Sequence, residues 1–167
     1  MRLGRDMRLA SMLTTLLLTA PELASAAPSA AQVEISLAKV GPKATIAGLV
    51  ATGEWDAAVD EISRGDAVWI ALAPALAPGA DAGTAEDLGI SLAFALPRNA
   101  AAVLAAVGDP DPAVFNVEEV CGLPFIEDTV KDRAGYRRTA IAAVSGVANP
   151  RLGAVKNLCL AILESTR

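Results

Sequence analysis

The chain has 167 residues, of which 53% are hydrophobic and 20% charged, and its net charge is −5. This acidic balance argues against nucleic acid as a partner, because binding to phosphates requires a basic surface. The sequence contains no histidine, which removes the commonest general base and the usual catalytic triads.

The first 26 residues have the pattern of a secretory signal peptide. Basic residues come first, at Arg2, Arg5 and Arg8. An uncharged apolar run follows over 9–20, and small residues at Ala24 and Ala26 mark a cleavage site. A helix needs about 20 apolar residues to cross a bilayer. We therefore expect cleavage, no remaining transmembrane segment, and a periplasmic or secreted protein. Met1 and Met7 are both candidate start residues.

Residues 27–167 are expected to form a single helical domain with an uneven distribution of charge. Residues 27–130 contain four basic and 15 acidic side chains, whereas 131–167 contain seven basic and two acidic ones. Two interpretations are open. A basic C-terminal helix pair can dock onto the acidic body, or the basic surface can bind an acidic partner.

Alanine-rich segments separated by capping and helix-ending residues predict an all-α fold. We expect a compact bundle or a short helical-hairpin array of about six to eight short helices. Trp55, Val59 and Ile62 lie on one face of a predicted helix that Gly65 ends, and Asp66 caps the next helix. Pro74 is expected to kink or stop that helix near Ala73, because proline lacks an amide hydrogen.

Thr84 is predicted to cap a helix that ends at Leu96, and Asn99 to cap the helix that follows. Residues 70–76 and 90–96 match at five of seven positions. Stacked helical hairpins can produce such a repeat. Chance can also produce it in a chain rich in alanine and leucine, and chance is the favoured explanation. The same segments alternate large apolar residues, so a strand is the minority alternative.

The C-terminal part begins with a predicted loop over 108–113. A short helix from Val117 to Cys121 follows, with Asn116 as its cap. The last two helices are predicted over about 129–147 and 151–165, and the second of these begins after a capping asparagine and a first-turn proline.

Cys121 and Cys159 are the two cysteines of the chain. In an exported protein, such a pair without Cys-x-x-Cys spacing predicts a structural disulfide. Cys159 shares a predicted helix face with Leu152, Val155 and Leu163, which favours a buried bond. Free reactive thiols are the alternative. No metal site is expected, because histidine and zinc-ligand spacing are both absent.

Two patterns deserve comparison with catalytic motifs. Ser36 and Lys39 have the Ser-x-x-Lys spacing found in penicillin-recognising enzymes, but the partner motifs of those enzymes are missing. A polar pair on the first amphipathic helix is the favoured interpretation. Asp109 and Asp111 lack the glycine and the later acidic ligand of a calcium loop.

Paired carboxylates are the other candidates for chemistry, since glycoside hydrolysis uses two acidic side chains. The chain offers two such pairs, Glu118 with Glu119 and Glu127 with Asp128. Acidic residues are also common at helix N-termini for electrostatic reasons, which is the favoured explanation for both pairs.

Arg137 interrupts the apolar pattern of the helix predicted from residue 129. Helical spacing places it among four apolar positions, Val130, Ala134, Ile141 and Val144. Its stem can pack on the core while the guanidinium reaches a carboxylate or water. Alternatively, this face stays partly exposed and forms a partner surface. That surface comprises the residue types favoured as interface anchors, Arg133, Tyr136, Arg137 and Arg138.

These observations favour a non-enzymatic binding protein that uses no cofactor. Its expected partner is an unidentified protein or an anionic component of the cell envelope. A cell-wall hydrolase that uses acidic residues is one alternative, and a structural or stress-related envelope protein without a dedicated site is another.

Overall fold

A computed structural model describes residues 27–108, 116–122, 125 and 129–165. Across these residues the chain forms nine α-helices and two 3₁₀ turns, and no strand. The all-α prediction is confirmed. The α-helices are α1 (Ala30–Val40), α2 (Pro42–Thr52), α3 (Trp55–Ser63), α4 (Ala67–Leu76), α5 (Ala82–Ala95), α6 (Ala100–Val107), α7 (Val117–Cys121), α8 (Arg133–Ser145) and α9 (Gly153–Ser165).

Consecutive helices from α3 onward alternate between two layers. In one layer α3 packs on α5, α5 on α7 and α7 on α9. In the other layer α4 packs on α6 and α6 on α8. Helices α1 and α2 cover one end by packing on α4, and contacts between α8 and α9 close the opposite end. The arrangement is a short array of helical hairpins, which is one of the two predicted architectures.

The core consists of apolar side chains from both layers. Ile62 of α3 and Leu88 of α5 are fully buried, as are Ile70 of α4 and Leu104 of α6. The two similar segments, 70–76 and 90–96, lie in α4 and α5 and therefore in different layers. Equivalent units of a hairpin repeat would lie in the same layer, so this placement favours chance similarity.

Neighbouring hairpins are joined at their turns. The side-chain amide of Asn99 donates a hydrogen bond to the Gly65 carbonyl at 2.9 Å. Gly65 has a φ of 88°, in the left-handed region that favours glycine. A Cβ there would also lie 2.9 Å from the Cβ of Arg98. Gly65 therefore ends α3 as predicted and allows the next turn to approach closely.

Of the two outcomes predicted for Pro74, the stop near Ala73 is wrong, and the predicted cap of α5 is also wrong. Helix α4 continues through Pro74 to Leu76 instead of stopping near Ala73. Leu76 is completely buried, and its packing offsets the hydrogen bond that the proline cannot donate. The cap of α5 is Asp81, and Thr84 is the third helical residue. Their side chains accept hydrogen bonds from each other's backbone N–H groups, which forms a capping box.

Helix α8 is shorter than predicted because its cap is Asp132. The carboxylate of Asp132 accepts the N–H of Gly135 at 2.7 Å, and the helix ends at Ser145. Of the nine helices described, none is long and apolar enough to span a membrane. The predicted caps that are confirmed are Asp66, Asn99 and Asn116. Asn149 caps the 3₁₀ turn Pro150–Leu152, and α9 begins after this turn at Gly153.

Candidate binding surface and cavity

The predicted partner residues lie on α8, which is the last helix of its layer. Arg133 and Arg138 are exposed, whereas Tyr136 and Arg137 are partly buried. Arg133 donates a hydrogen bond from its guanidinium to the Phe125 carbonyl at 3.3 Å. The surface therefore combines outward-facing cations with side chains that pack against the protein.

Tyr136 belongs to an aromatic cluster inside the fold. Its ring lies 4.8 Å from the ring of Phe125 in an edge-to-face arrangement, and Phe125 lies 4.8 Å from Phe94. The Tyr136 hydroxyl donates to the Ala93 carbonyl at 2.5 Å. Burial raises the pKa of this hydroxyl far above its usual range, although nearby Arg98 opposes the shift. Tyr136 thus fixes α8 to α5.

The apolar face predicted around α8 is confirmed in part. Val144 is buried, Val130 and Ile141 pack against the core, and Ala140 and Tyr136 join the same contact. Ala134, which was expected on the apolar face, is exposed. Arg137 lies between these apolar positions in the sequence and is partly buried.

We define the α8 basic surface as Lys131, Arg133, Arg137 and Arg138. Arg138 is 71% exposed and lies 4.0 Å from Asp132. An ion pair this exposed contributes little to stability. Away from this surface, the ammonium of Lys156 donates to the carbonyls of Ser145 and Val147 at 2.7 Å. The contacts of Arg138 and Lys156 therefore lie within residues 131–167 and do not involve carboxylates of residues 27–130.

The predicted disulfide is confirmed. Cys121 ends α7, Cys159 lies in α9, and their Cα atoms are 5.4 Å apart. Both cysteines have no exposed surface. The bond covalently joins two adjacent helices of one layer, and the chain has no third cysteine.

The acidic pair on α7 is not a convergent pair. Glu118 and Glu119 are both exposed, and consecutive residues of a helix do not face each other. Glu119 instead lies beside α5, where a Cβ added to Gly89 would be 3.4 Å from its Oε1 atom. Although Glu119 is exposed overall, partial desolvation beside α5, followed by the charge of Glu86, raises its pKa. The second pair, Glu127 with Asp128, and the candidates Asp109 and Asp111 lie outside the described residues.

A cavity of about 380 Å³ lies between α1 and α2. Its apolar lining includes Val33, Ala44 and Leu49. The polar lining consists mainly of two pairs of side chains. Ser36 and Thr45 have hydroxyl oxygens 2.9 Å apart, and the Thr52 hydroxyl lies 2.9 Å from the Glu54 carboxylate.

The Ser-x-x-Lys spacing suggests Lys39 as the neighbour of Ser36, but the structure places another residue beside Ser36. Its hydroxyl contacts Thr45 of α2, while Lys39 is exposed near the end of α1. Ser36 and Lys39 are both polar residues of α1, but the Ser36 hydroxyl contacts Thr45 of α2. Sequence reasoning missed the cavity, although Thr45, Gly48 and Thr52 recur at helical spacing in α2.

No protein-family model, curated protein or solved structure matches this chain. Among the described residues there is also no group of three or more cysteine or acidic side chains positioned to hold a metal ion. The α8 basic surface and the α1–α2 cavity are therefore the features from which function is argued below.

Proposed function

We propose that this protein is an exported, non-enzymatic binding protein whose α8 basic surface holds an acidic partner. The observation that carries the proposal is the exposure of Lys131, Arg133 and Arg138 around the first turns of one helix. Charge complementarity speeds association and selects the partner. An acidic protein or an anionic envelope component provides that complement.

The support beneath this surface also favours binding. Tyr136 packs between the basic residues and α5, with its hydroxyl on the Ala93 carbonyl. The cations are therefore carried by a helix that is already positioned. A surface ordered before binding loses less conformational entropy when a partner docks.

The disulfide supports the export part of the proposal, because structural disulfides persist mainly in oxidising compartments. Cell fractionation combined with intact-mass measurement tests it. We expect the chain in the envelope or secreted fraction with its N-terminus at Ala27. A cytosolic chain that retains residues 1–26 would contradict export.

Binding is tested by capture from an envelope extract and by sedimentation with anionic and zwitterionic vesicles. The protein purified as the cell produces it, with its N-terminus at Ala27, serves as bait. Replacing Lys131 and Arg138 by alanine should weaken capture or vesicle binding at least about ten-fold, and added salt should weaken binding of the unmodified protein. Arg151→Ala is the matched control, because Arg151 is an exposed cation outside the surface.

Each arm of this experiment identifies one type of partner. Capture of one acidic protein supports a protein partner, whereas selective sedimentation with anionic vesicles supports an envelope lipid. Arg137→Ala separates binding from stability: weaker binding with an unchanged melting temperature assigns Arg137 to the surface. Equal capture by all variants would overturn the proposal.

A hydrolase is the second candidate, and one observation favours it. Glu119 lies against α5, 3.4 Å from a Cβ built on Gly89. Partial desolvation there and the charge of Glu86 raise its pKa, and a raised carboxyl pKa is typical of general acids. Release of soluble sugar from purified cell-wall polymer, abolished by Glu119→Gln, would support this alternative. Intact polymer after prolonged incubation would count against it.

A further inference from the structure

The α1–α2 cavity includes the residue at which the exported chain would begin. Ala27 and Pro28 belong to its lining, together with residues of α1 and α2 and with Glu54. Removal of residues 1–26 converts the amide nitrogen of Ala27 into an α-amine. The ordinary pKa of an α-amine is about 7.7–8.0, so most of it is an ammonium at neutral pH. Cleavage therefore places a positive charge at the border of this cavity.

The segment that carries this amine is anchored to α1. Ser29 caps the helix and forms a capping box with Gln32, whose side chain accepts the Ser29 N–H at 2.9 Å. Pro28 restricts Ala27 to extended backbone conformations. Because one proline separates Ala27 from a fixed helix cap, holding the amine at the cavity costs little conformational entropy.

One end of the cavity offers acceptors without free hydroxyl hydrogens. The Thr45 hydroxyl donates to the Gly41 carbonyl at 2.9 Å. A hydroxyl has only one hydrogen, so the contact between Ser36 and Thr45 requires Ser36 to donate. Both hydroxyl hydrogens are thus used within the protein.

The other end combines acceptors with a negative charge. The Thr52 hydroxyl lies within 3.2 Å of three protein acceptors, the carbonyls of Gly48 and Leu49 and the carboxylate of Glu54. Glu54 is the one charged side chain of the described lining, and it has a further interaction within the protein. Its two oxygens provide about four acceptor positions, so another donor can be added without displacing these contacts.

We propose that the α-ammonium created at Ala27 by signal-peptide removal binds in the α1–α2 cavity and donates to the Glu54 carboxylate. The proposal rests on the proposed export. Ala27 precedes α1, and Glu54 is the residue before α3. The contact therefore ties the start of the mature chain to the start of α3. The uncleaved chain has an uncharged amide at Ala27 and lacks this contact, so the end of the array becomes fully fixed only after cleavage.

The composition of the chain makes this amine simple to observe. The sequence has no histidine, and its two cysteines form the disulfide. Lysine side chains ordinarily titrate near pH 10.4 and carboxyl groups near pH 4. Spectral changes centred between about pH 7 and 9 therefore report the α-amine.

The test is an NMR pH titration of three isotope-labelled chains. The first begins at Ala27, and the second is the same chain with an acetylated α-amine. The third begins at Ser25, which keeps an ammonium but moves it by two residues, as far as about 7 Å. We expect the Glu54 side-chain carboxyl resonance to shift with a midpoint near pH 8 in the first chain alone. No such shift in the first chain, or an equal shift in all three, would overturn the proposal.

Two variants of the chain that begins at Ala27 identify the carboxylate. Glu54→Gln should weaken proton binding by the α-amine about two- to five-fold, which lowers its pKa by about 0.3–0.7. Glu34→Gln is the matched control, because it removes an exposed carboxylate of α1 outside the described lining. It should leave the pKa of the amine unchanged. An equal decrease in both variants would indicate a general charge effect and refute the assignment to Glu54.

The contact and the cleavage can fail separately. The intact mass of the protein isolated from cells identifies its natural N-terminus. A cellular chain that retains residues 1–26 would overturn the export proposal and the role of cleavage, whatever the prepared chains show. A cellular chain that begins at Ala27, combined with no Glu54 shift in the titration, would overturn the contact and leave export supported.

Discussion

Breaking the Cys121–Cys159 bond should remove a large part of the stability of this domain. The bond closes a long loop, with a sequence separation of 38 residues. Restricting a loop of this length in the unfolded chain contributes about 4 kcal/mol at 25 °C on the chain-entropy model. A domain of about 140 residues has an unfolding entropy of about 0.3 kcal/mol per kelvin, so the expected loss in melting temperature is about 13 °C.

The structure indicates which helix depends most on the bond. Helix α7 has five residues, and isolated helices shorter than about 12 residues are marginal in water. It is held by packing on α5 and α9 and by the disulfide to α9. We therefore expect hydrogen exchange at α7 to increase most when the bond is reduced.

The assay is urea unfolding of three forms, namely the oxidised chain, the chemically reduced chain and the double variant Cys121→Ala with Cys159→Ala. The reduced chain retains both sulfur atoms, so it isolates the effect of the covalent bond. The double variant additionally loses the packing of two fully buried sulfurs and should be the least stable. If the oxidised and reduced chains unfold at the same urea concentration, the reasoning is refuted.

Three further predictions concern single side chains. Tyr136→Phe removes the hydrogen bond to Ala93 and should lower the free energy of unfolding in urea by about 1 kcal/mol; a stability unchanged within error would contradict the assigned contact. Gly79→Ala should lower it by about 1–3 kcal/mol through overpacking, because the new Cβ would lie 2.3 Å from a backbone nitrogen of α2; a higher melting temperature would argue against this close approach. Glu119 binds its proton more tightly in the folded state, so its contribution to stability is present at low pH and is lost as pH rises through and above its ordinary pKa of 4.5. Glu119→Gln should therefore be more stable than the unmodified chain at neutral pH but not in acid, and the same difference at both pH values would exclude a titration effect.

Much of the helical structure could be predicted because its determinants are local. Asn99 and Asn116 cap their helices through bonds to backbone N–H groups three residues ahead, and such contacts are visible in the sequence. The disulfide could be predicted because the chain offers only one possible pair. The start of α5 was predicted at the wrong residue because Asp81 and Thr84 can both cap a helix. In the structure they form one capping box, with Asp81 as the cap.

The two candidate sites depend on contacts that the sequence does not contain. Tyr136 and Arg137 are adjacent in the sequence, yet only the tyrosine is fixed to α5. Its hydroxyl donates to the Ala93 carbonyl, and its ring packs edge-to-face on Phe125. The cavity lies where Ser36 of α1 meets Thr45 of α2. Helical spacing alone can place Thr45 and Thr52 on one face, but it cannot show what covers that face.

The sequence by itself determined the all-α class, several helix caps and the cysteine pair, because capping, helix propensity and side-chain periodicity act over a few residues. The tertiary structure decided the order of the two layers, the inward position of Tyr136 and the opening between α1 and α2. These features depend on which helix faces meet. That choice is made by packing between residues far apart in the chain, where the free energy of burial outweighs local preference.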